Sequence, residues 1–153
     1  MAHFAELDSD NKVIRVVVIS NEEVNANGGD LHPDAETFVA SIVPHSENGV
    51  AWKQTSYHHN FRKQYAGNIH YYDPVKDKFI DQQPFPSWYL DTNDDWQPPT
   101  GYPDTFDIGG LAANAEWDEA NRRWIGRTFD HTTDPVTVTD YFWDNNNSQW
   151  KEI

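Results

Sequence analysis

One pattern recurs through the second half of the chain: an aromatic residue, an aspartate, five variable residues, then a second aromatic. Tyr72-Asp73 to Phe79, Trp117-Asp118 to Trp124 and Trp143-Asp144 to Trp150 all carry it. In a β-hairpin with a four-residue loop, residues i and i+7 lie opposite each other, and a cross-strand aromatic pair there contributes up to about 1 kcal/mol. The aspartate at i+1 is placed to accept loop amides in an Asx-turn. Leu90-Asp91 to Trp96 is a copy one residue shorter, while Leu7-Asp8 to Ile14 and Phe129-Asp130 to Val136 keep the step with aliphatic partners. The copies are too short and too irregularly spaced for a propeller or a solenoid. The pattern predicts a run of short aromatic-clamped hairpins over residues 71–153. Proline-containing extended segments, Gln83 to Trp88 and Pro98 to Pro103, separate them.

Aliphatic residues alone are too few for an ordinary core, with 23 Leu, Ile and Val in 153 residues. The 7 Trp, 7 Tyr and 8 Phe offset the shortage, because each such ring buries roughly 150–250 Å². The chain therefore reads as folded, with length for one domain or two small subdomains. Residues 3–19 read as a hairpin that turns at Asp8-Ser9-Asp10-Asn11 into VIRVVVI, a β-branched run whose consecutive valines suggest burial on both faces. Asn25 to Asp30 is a glycine-containing loop. Pro33 fits the first position of a helix running to about Val43, with Phe38, Val39, Ile42 and Val43 on one stripe. It is read as the only helix, with extended chain resuming over Val50 to Tyr57. The expected fold is mostly β: an N-terminal β-rich subdomain with one short helix, residues 1–70, then the hairpin region 71–153, the two either separate or packed as one domain.

The formal charge is −14, from 11 basic and 25 acidic residues, which argues against nucleic acid and anionic membranes as partners because both need clustered Lys and Arg. No apolar run reaches the ~20 residues of a membrane span, and the first residues lack the features of a signal peptide, so a soluble protein is expected. Cys is absent and Met occurs once, which removes thiolate chemistry, thiolate metal sites and disulfides.

Basic residues are uneven. Residues 48–72 hold Lys53, Arg62 and Lys63 and no acid. Within them, Tyr57 to Gly67 (YHHNFRKQYAG) joins aromatic and basic side chains. Lys53, Tyr57, Arg62, Lys63 and Tyr65 are candidate interface residues toward an acidic partner, including another copy of the chain; equally, the segment reads as a strand whose cations neutralise acids within the fold. Trp88, Tyr89 and Tyr102 lie outside the clamp pattern and are candidate sugar-stacking rings, against the alternative that they too pack hairpins. Asp91-Thr92-Asn93-Asp94-Asp95 resembles the start of a calcium loop. However, Trp96 and Tyr102 stand where such a loop needs Gly and Glu, so it reads as a hairpin turn. His58 and His59 are adjacent and would point to opposite faces of a strand, which does not suit chelation. No nucleophile elbow, P-loop, zincin or dinucleotide motif occurs. The expectation is no catalytic residue, no cofactor and no metal ligand.

Three blocks, MAHFAELDSDNKVIRVVVISNEE, WKQTSYHHNFRKQYAG and PFPSWYLDTNDDWQPPTGYP, resemble small virion-associated proteins of tailed phages of marine bacteria, especially cyanophages. The resemblance covers most of residues 1–103 and persists in the Trp-Asp hairpins, while Thr105–Asn114 and Arg127–Tyr141 fit it less well. It implies a structural protein of the virion, made in the host cytoplasm, that decorates or cements the head. Implied partners are the major capsid protein or other virion proteins, with self-association in a multicopy assembly. The alternatives are a tail-associated glycan-binding or adhesion module and a tail-fibre assembly chaperone. The resemblance carries no catalytic residues.

Overall fold

The structure, a computed structural model, describes residues 1–153. It is mostly β, 39% strand and 10% helix, built from small antiparallel sheets. The chain forms two compact units, Met1–Gln82 and Gln83–Ile153. The division lies beyond the expected one at residue 70, because the Tyr72–Phe79 hairpin belongs with the N-terminal sheet: both rings enter one buried cluster with Ala5, Leu7, Val13 and Ala66.

In the first unit β1 (Ala2–Leu7) is the central strand, with β2 (Val13–Ile19) on one side and β3 (Ala51–Thr55) on the other. Alternation along a strand sends successive side chains to opposite faces, and β1 is buried on both. Ala2 and Phe4 join Ile19, Val24, Ala35, Val39 and Trp52 on one face, and Ala5 and Leu7 join the Tyr72–Phe79 cluster on the other. The β-branched run is β2, an edge strand that still packs on both faces as expected: Ile19 and Val17 meet the first cluster and Val13 and Val16 the second, while Val18, the last of the consecutive valines, is 47% exposed. Asp8 accepts amides from Asp10 and Lys12 at 2.8 and 2.9 Å. The resulting turn pairs Leu7 with Val13, not Ile14, with a register shift after Glu6.

Two helices follow, where one was expected. α1 (Asn21–Ala26) is short but well capped: Ser20 Oγ accepts from the Glu23 amide, and the Glu23 carboxylate accepts from the Ser20 hydroxyl, a variant of the capping box. α2 (Pro33–Ile42) carries proline in its first turn and ends at Val43 before Pro44. Its buried side chains are Ala35 and Val39, with Phe38 and Val43 partly buried against the same cluster. Ile42 is 48% exposed and lies off the stripe. β4 (His70–Asp73) and β5 (Lys78–Asp81) close the unit as a hairpin with Tyr72 opposite Phe79.

The second unit begins with two small hairpins, β6 (Tyr89–Leu90) with β7 (Trp96–Gln97) and β8 (Asp107–Ile108) with β9 (Leu111–Ala112). A four-stranded meander follows: β10 (Asn114–Asp118), β11 (Arg123–Asp130), β12 (Thr137–Asp144) and β13 (Gln149–Glu152). Trp117 pairs with Trp124 and Trp143 with Trp150 across adjacent strands. Their ring centroids are 5.6 and 5.4 Å apart in edge-to-face geometry. Three of these indoles also tie loops down, through Trp117 Nε1 to Glu119, Trp124 Nε1 to the Gly101 carbonyl and Trp150 Nε1 to the Thr105 carbonyl. Leu90 faces Trp96, as the shorter copy requires. Phe129 faces Val138 instead of Val136, because the connection after Asp130 is longer than the pattern assumes.

Trp124 is 9% exposed, and its truncation removes both a clamp ring and the hydrogen bond to Gly101. Trp124→Ala is expected to destabilise the second unit by about 3–5 kcal/mol, read from the shift of its denaturant midpoint followed by a near-UV probe.

Candidate functional site

The basic segment is built into the interior of the first unit. After β3 the chain passes through turns, not a strand, and Arg62 and Lys63 take left-handed backbone angles, φ 53° and 71°. This conformation swings the Arg62 side chain inward, where it is 7% exposed. Its guanidinium donates to Glu36 of α2 at 3.0 Å, to the Gln54 carbonyl of β3 at 2.9 Å and to Asp77 of the β4–β5 turn at 2.8 Å. It also lies 5.5 Å from the centroid of the Tyr72 ring. Lys53 donates to Glu36 at 2.9 Å. Burial pushes the Tyr72 hydroxyl up, its bond to Asp77 pushes it further, and its pKa reaches about 12. Burial also raises Asp77, but the bonds from Tyr72 and Arg62 outweigh it and hold that carboxyl below its ordinary range. Arg62 and Lys53 thus neutralise acids within the fold, the structural alternative for this segment, and Lys63 is half-buried beside them. Tyr57 and Tyr65 lie apart, edge-to-face at 5.3 Å and both packed against His3.

The pairing makes charge reversal at Arg62 a stability mutation. It would place a third carboxylate, in the buried position of Arg62, against Glu36 and Asp77. Arg62→Glu is expected to cost at least about 3–5 kcal/mol, the usual range for breaking a buried ion pair, as a fall in the first unit's thermal midpoint.

A second polar knot lies on β1. Glu6 is fully buried on the helix-facing side. It accepts from Arg15 at 2.5 Å and from the Ser46 amide and hydroxyl at 2.7 and 2.9 Å, with His45 Nδ1 at 3.0 Å. Arg15 continues to the Pro44 carbonyl and lies over the Trp52 ring. The loop closes so tightly that a Cβ on Gly49 would come within 2.0 Å of Glu6 Oε1. Burial pushes the Glu6 carboxyl up, yet the bonds from Arg15, Ser46 and His45 outweigh it and bring its pKa to about 2. Every acceptor position of this carboxylate is used by the fold, so it serves structure, not proton transfer. Because its folded pKa is depressed, its contribution is complete above the ordinary value near 4.5 and is lost as pH falls toward 2. That contribution is on the order of 3 kcal/mol. Acid titration followed by circular dichroism should show the first unit of Glu6→Gln losing less stability between those two pH values than the wild type does.

The candidate sugar-stacking rings divide. Trp88 packs in the indole cluster, with centroids 6.0 Å from Trp117 and 6.1 Å from Trp124, and its Nε1 is buried without a partner in the chain. Its ring is occupied by the core, and it presents no free platform. Tyr102 leans on Trp124 at 5.3 Å and is 49% exposed, and Tyr89 is 54% exposed on β6. The Asp91 turn spends Oδ1 on the amides of Asn93 and Asp95 and Oδ2 on Gln97. No group of three or more His, Asp or Glu is gathered to hold a metal.

What the aromatic pattern did not point to is the other face of the meander. The tryptophan clamps occupy one face. By alternation the opposite face carries Arg123, Ile125, Arg127 and Phe129 of β11 against Phe142, Asp140 and Val138 of β12. Ile125 pairs with Phe142 and Phe129 with Val138, and between them Arg127 and Asp140 form a two-bond ion pair at 2.6 and 3.0 Å. Arg123 lies 4.8 Å over the Phe142 ring. A groove of about 280 Å³ opens here, bordered by Glu116, Ile125, Arg127, Asp140 and Ile153. Beyond it Thr128–Asp130 and Thr137–Thr139 pair only with each other, and this arm exposes Phe129 (41%), Val136 (42%) and Val138 (51%). The alternating sequence of β11 and β12 contained the signal, since apolar residues recur on both parities.

No family model, curated protein or solved structure matches the chain.

Proposed function

We propose that the chain is a structural protein of a phage virion that decorates or cements the head, and that it docks through the outward face of the β10–β13 meander. The observation that carries the docking reading is the row Ile125, Phe142, Phe129 and Val138, which crosses that face and continues onto a two-stranded arm. An apolar centre with a charged surround is the usual anatomy of a specific contact. The chain's charge of −14 favours a partner whose contact surface is basic and disfavours contact between two copies of this acidic chain. Lys53 and Arg62 are committed to Glu36 inside the first unit and do not anchor this interface. The assignment to a virion rests on the resemblance of the three sequence blocks.

A decoration protein repeats with the symmetry of the shell. Densitometry of purified virions should therefore show many copies per particle, on the scale of the shell's symmetry-related positions. Phe129→Asp and Val138→Asp should each weaken binding to particles lacking the protein by at least about tenfold, equivalent to 1.4 kcal/mol, with the thermal midpoint of the free protein little changed because both side chains are already exposed. Binding undiminished by both variants removes the arm from the interface. Scarcity on virions favours the adhesion alternative, and absence from them favours the assembly chaperone.

A further inference from the structure

The first unit holds a cavity of about 360 Å³ at the end of its sheet where β1 begins and β3 finishes. Polar and aromatic groups from four separate segments converge on it. Gln54, 2% exposed at the end of β3, accepts from the Leu31 amide at 2.6 Å and donates to Asp30 Oδ1 at 2.6 Å. A buried amide thus holds the Asp30 carboxylate from beneath, fixing its direction and leaving Oδ2 for another donor. Asn21, at the start of α1, and Asn60, whose backbone amide is held by Ser56 Oγ at 2.9 Å, also line the cavity, and neither side-chain amide has a partner in the chain. Tyr57 completes the wall. Its ring stacks on His3 with centroids 5.5 Å apart and an interplanar angle of 22°, yet it remains 59% exposed.

The electrostatics narrow the ligand. His3 is lowered by burial first of all, and then by the neighbouring positive charge of the N-terminus and of His58, so it stays neutral at neutral pH. Among the groups lining the cavity the Asp30 carboxylate is countered by the Met1 ammonium, so the site has no net positive charge with which to select a phosphate or a carboxylated ligand. A pre-oriented carboxylate, two unengaged amides and one exposed aromatic ring supply acceptors, donors and an apolar face. Those are the needs of a polyhydroxylated ring, whose C–H face lies on an aromatic while vicinal hydroxyls bond the polar groups. The volume lies within the ordinary range for small-ligand pockets, roughly 300–1,000 Å³.

We infer that this cavity binds a single neutral sugar ring, stacked on Tyr57 and hydrogen-bonded by Asp30, Asn21 and Asn60. The site is separate from the docking face of the meander, and it stands whether or not that face contacts a shell. It differs from the sugar-stacking rings of the second unit, of which Trp88 is enclosed by other indoles.

The test is saturation-transfer difference NMR on the full chain with D-glucose, D-galactose, D-mannose and N-acetyl-D-glucosamine at millimolar concentration. At least one sugar should receive saturation, and titration with it should shift the resonances of His3, Tyr57 and Asn60. Asp30→Asn keeps the size of the side chain and an oxygen for Gln54, so the fold is retained; it should weaken binding at least tenfold, about 1.4 kcal/mol. Tyr57→Ala should do the same. No transfer to any of the four sugars overturns the inference, as does affinity unchanged in Asp30→Asn. Loss of binding in Tyr102→Ala with Asp30→Asn unaffected also overturns it, placing the sugar in the second unit. None of these readouts depends on particle binding, so failure here and failure of the docking reading are distinguishable.

Discussion

The structure depends on an aspartate at the first position of its turns. Asp8, Asp73, Asp91, Asp118, Asp130 and Asp144 each turn a carboxylate oxygen onto backbone amides of the following loop. A loop amide bonded to a carboxylate forms a charge-assisted hydrogen bond, stronger than a neutral one, and it fixes where the chain reverses. Reversal fixes register, and register decides which side chains stand opposite each other. Three turn lengths result, the longest being the Asp130 turn between Phe129 and Val138. In the three pairs with the seven-residue step, left-handed Asp77, Arg122 and Ser148 precede the return strand; in the shorter ones Asn11 and Asp94 do so. None of these positions is glycine, so the strain of a positive φ on an L-residue, of order 1 kcal/mol, is offset by the carboxylate bonds on the other side of the loop.

This locality explains what the sequence disclosed. A clamp and its aspartate lie within eight positions of each other, so Trp117 with Trp124 and Trp143 with Trp150 are legible as pairs without tertiary information. The step is not: Leu7 pairs with Val13 because the turn there is one residue shorter, and Phe129 with Val138 because it is longer. α1 was announced by Ser20 and Glu23, but with Val24 its only buried residue it has almost no apolar period to read. Contacts between distant segments left no local trace. Arg62 meets Glu36 across 26 positions, and its inward turn depends on two successive positive φ angles that nothing in RKQ advertises. The sugar cavity is of the same kind, since Asn21, Asp30, Gln54 and Asn60 become neighbours only when the sheet forms. The outward row of β11 and β12 was masked by the stronger tryptophan signal on the opposite parity.

The acidity of the chain also changes meaning once the structure is known. Much of the −14 charge is invested in geometry and is not a uniform field. Hydrogen bonds from loop groups and cations hold Asp118, Asp130 and Asp144 below the ordinary carboxylate range, and Asp144, bonded by Asn147 and Lys151, reaches about 2. Glu119 is lowered likewise, chiefly by Ser87 and also by the Trp117 indole, which fastens the segment before β6 to the β10–β11 turn. Glu6 at the centre of the first unit is held down in the same way, to about 2, so buried and turn carboxylates alike owe their lowered range to the hydrogen bonds they accept.

Local hairpins release one sheet face for other uses. A sheet held mainly by packing must bury both faces or pair one with solvent-friendly residues. In the meander, each reversal is fixed by its own aspartate and each clamp by its own indoles, so the side chains opposite the clamps contribute little to holding the strands together. Phe129 and Val138 can then remain exposed without weakening the unit that carries them. The proposed docking arm has this requirement: its apolar side chains must be available before a partner arrives, on a scaffold that does not need them to fold. The Arg127–Asp140 pair beside them adds to the same design. It fills the centre of the face with a polar link whose two charges already satisfy each other, so a partner can cover the row without burying an unpaired ion.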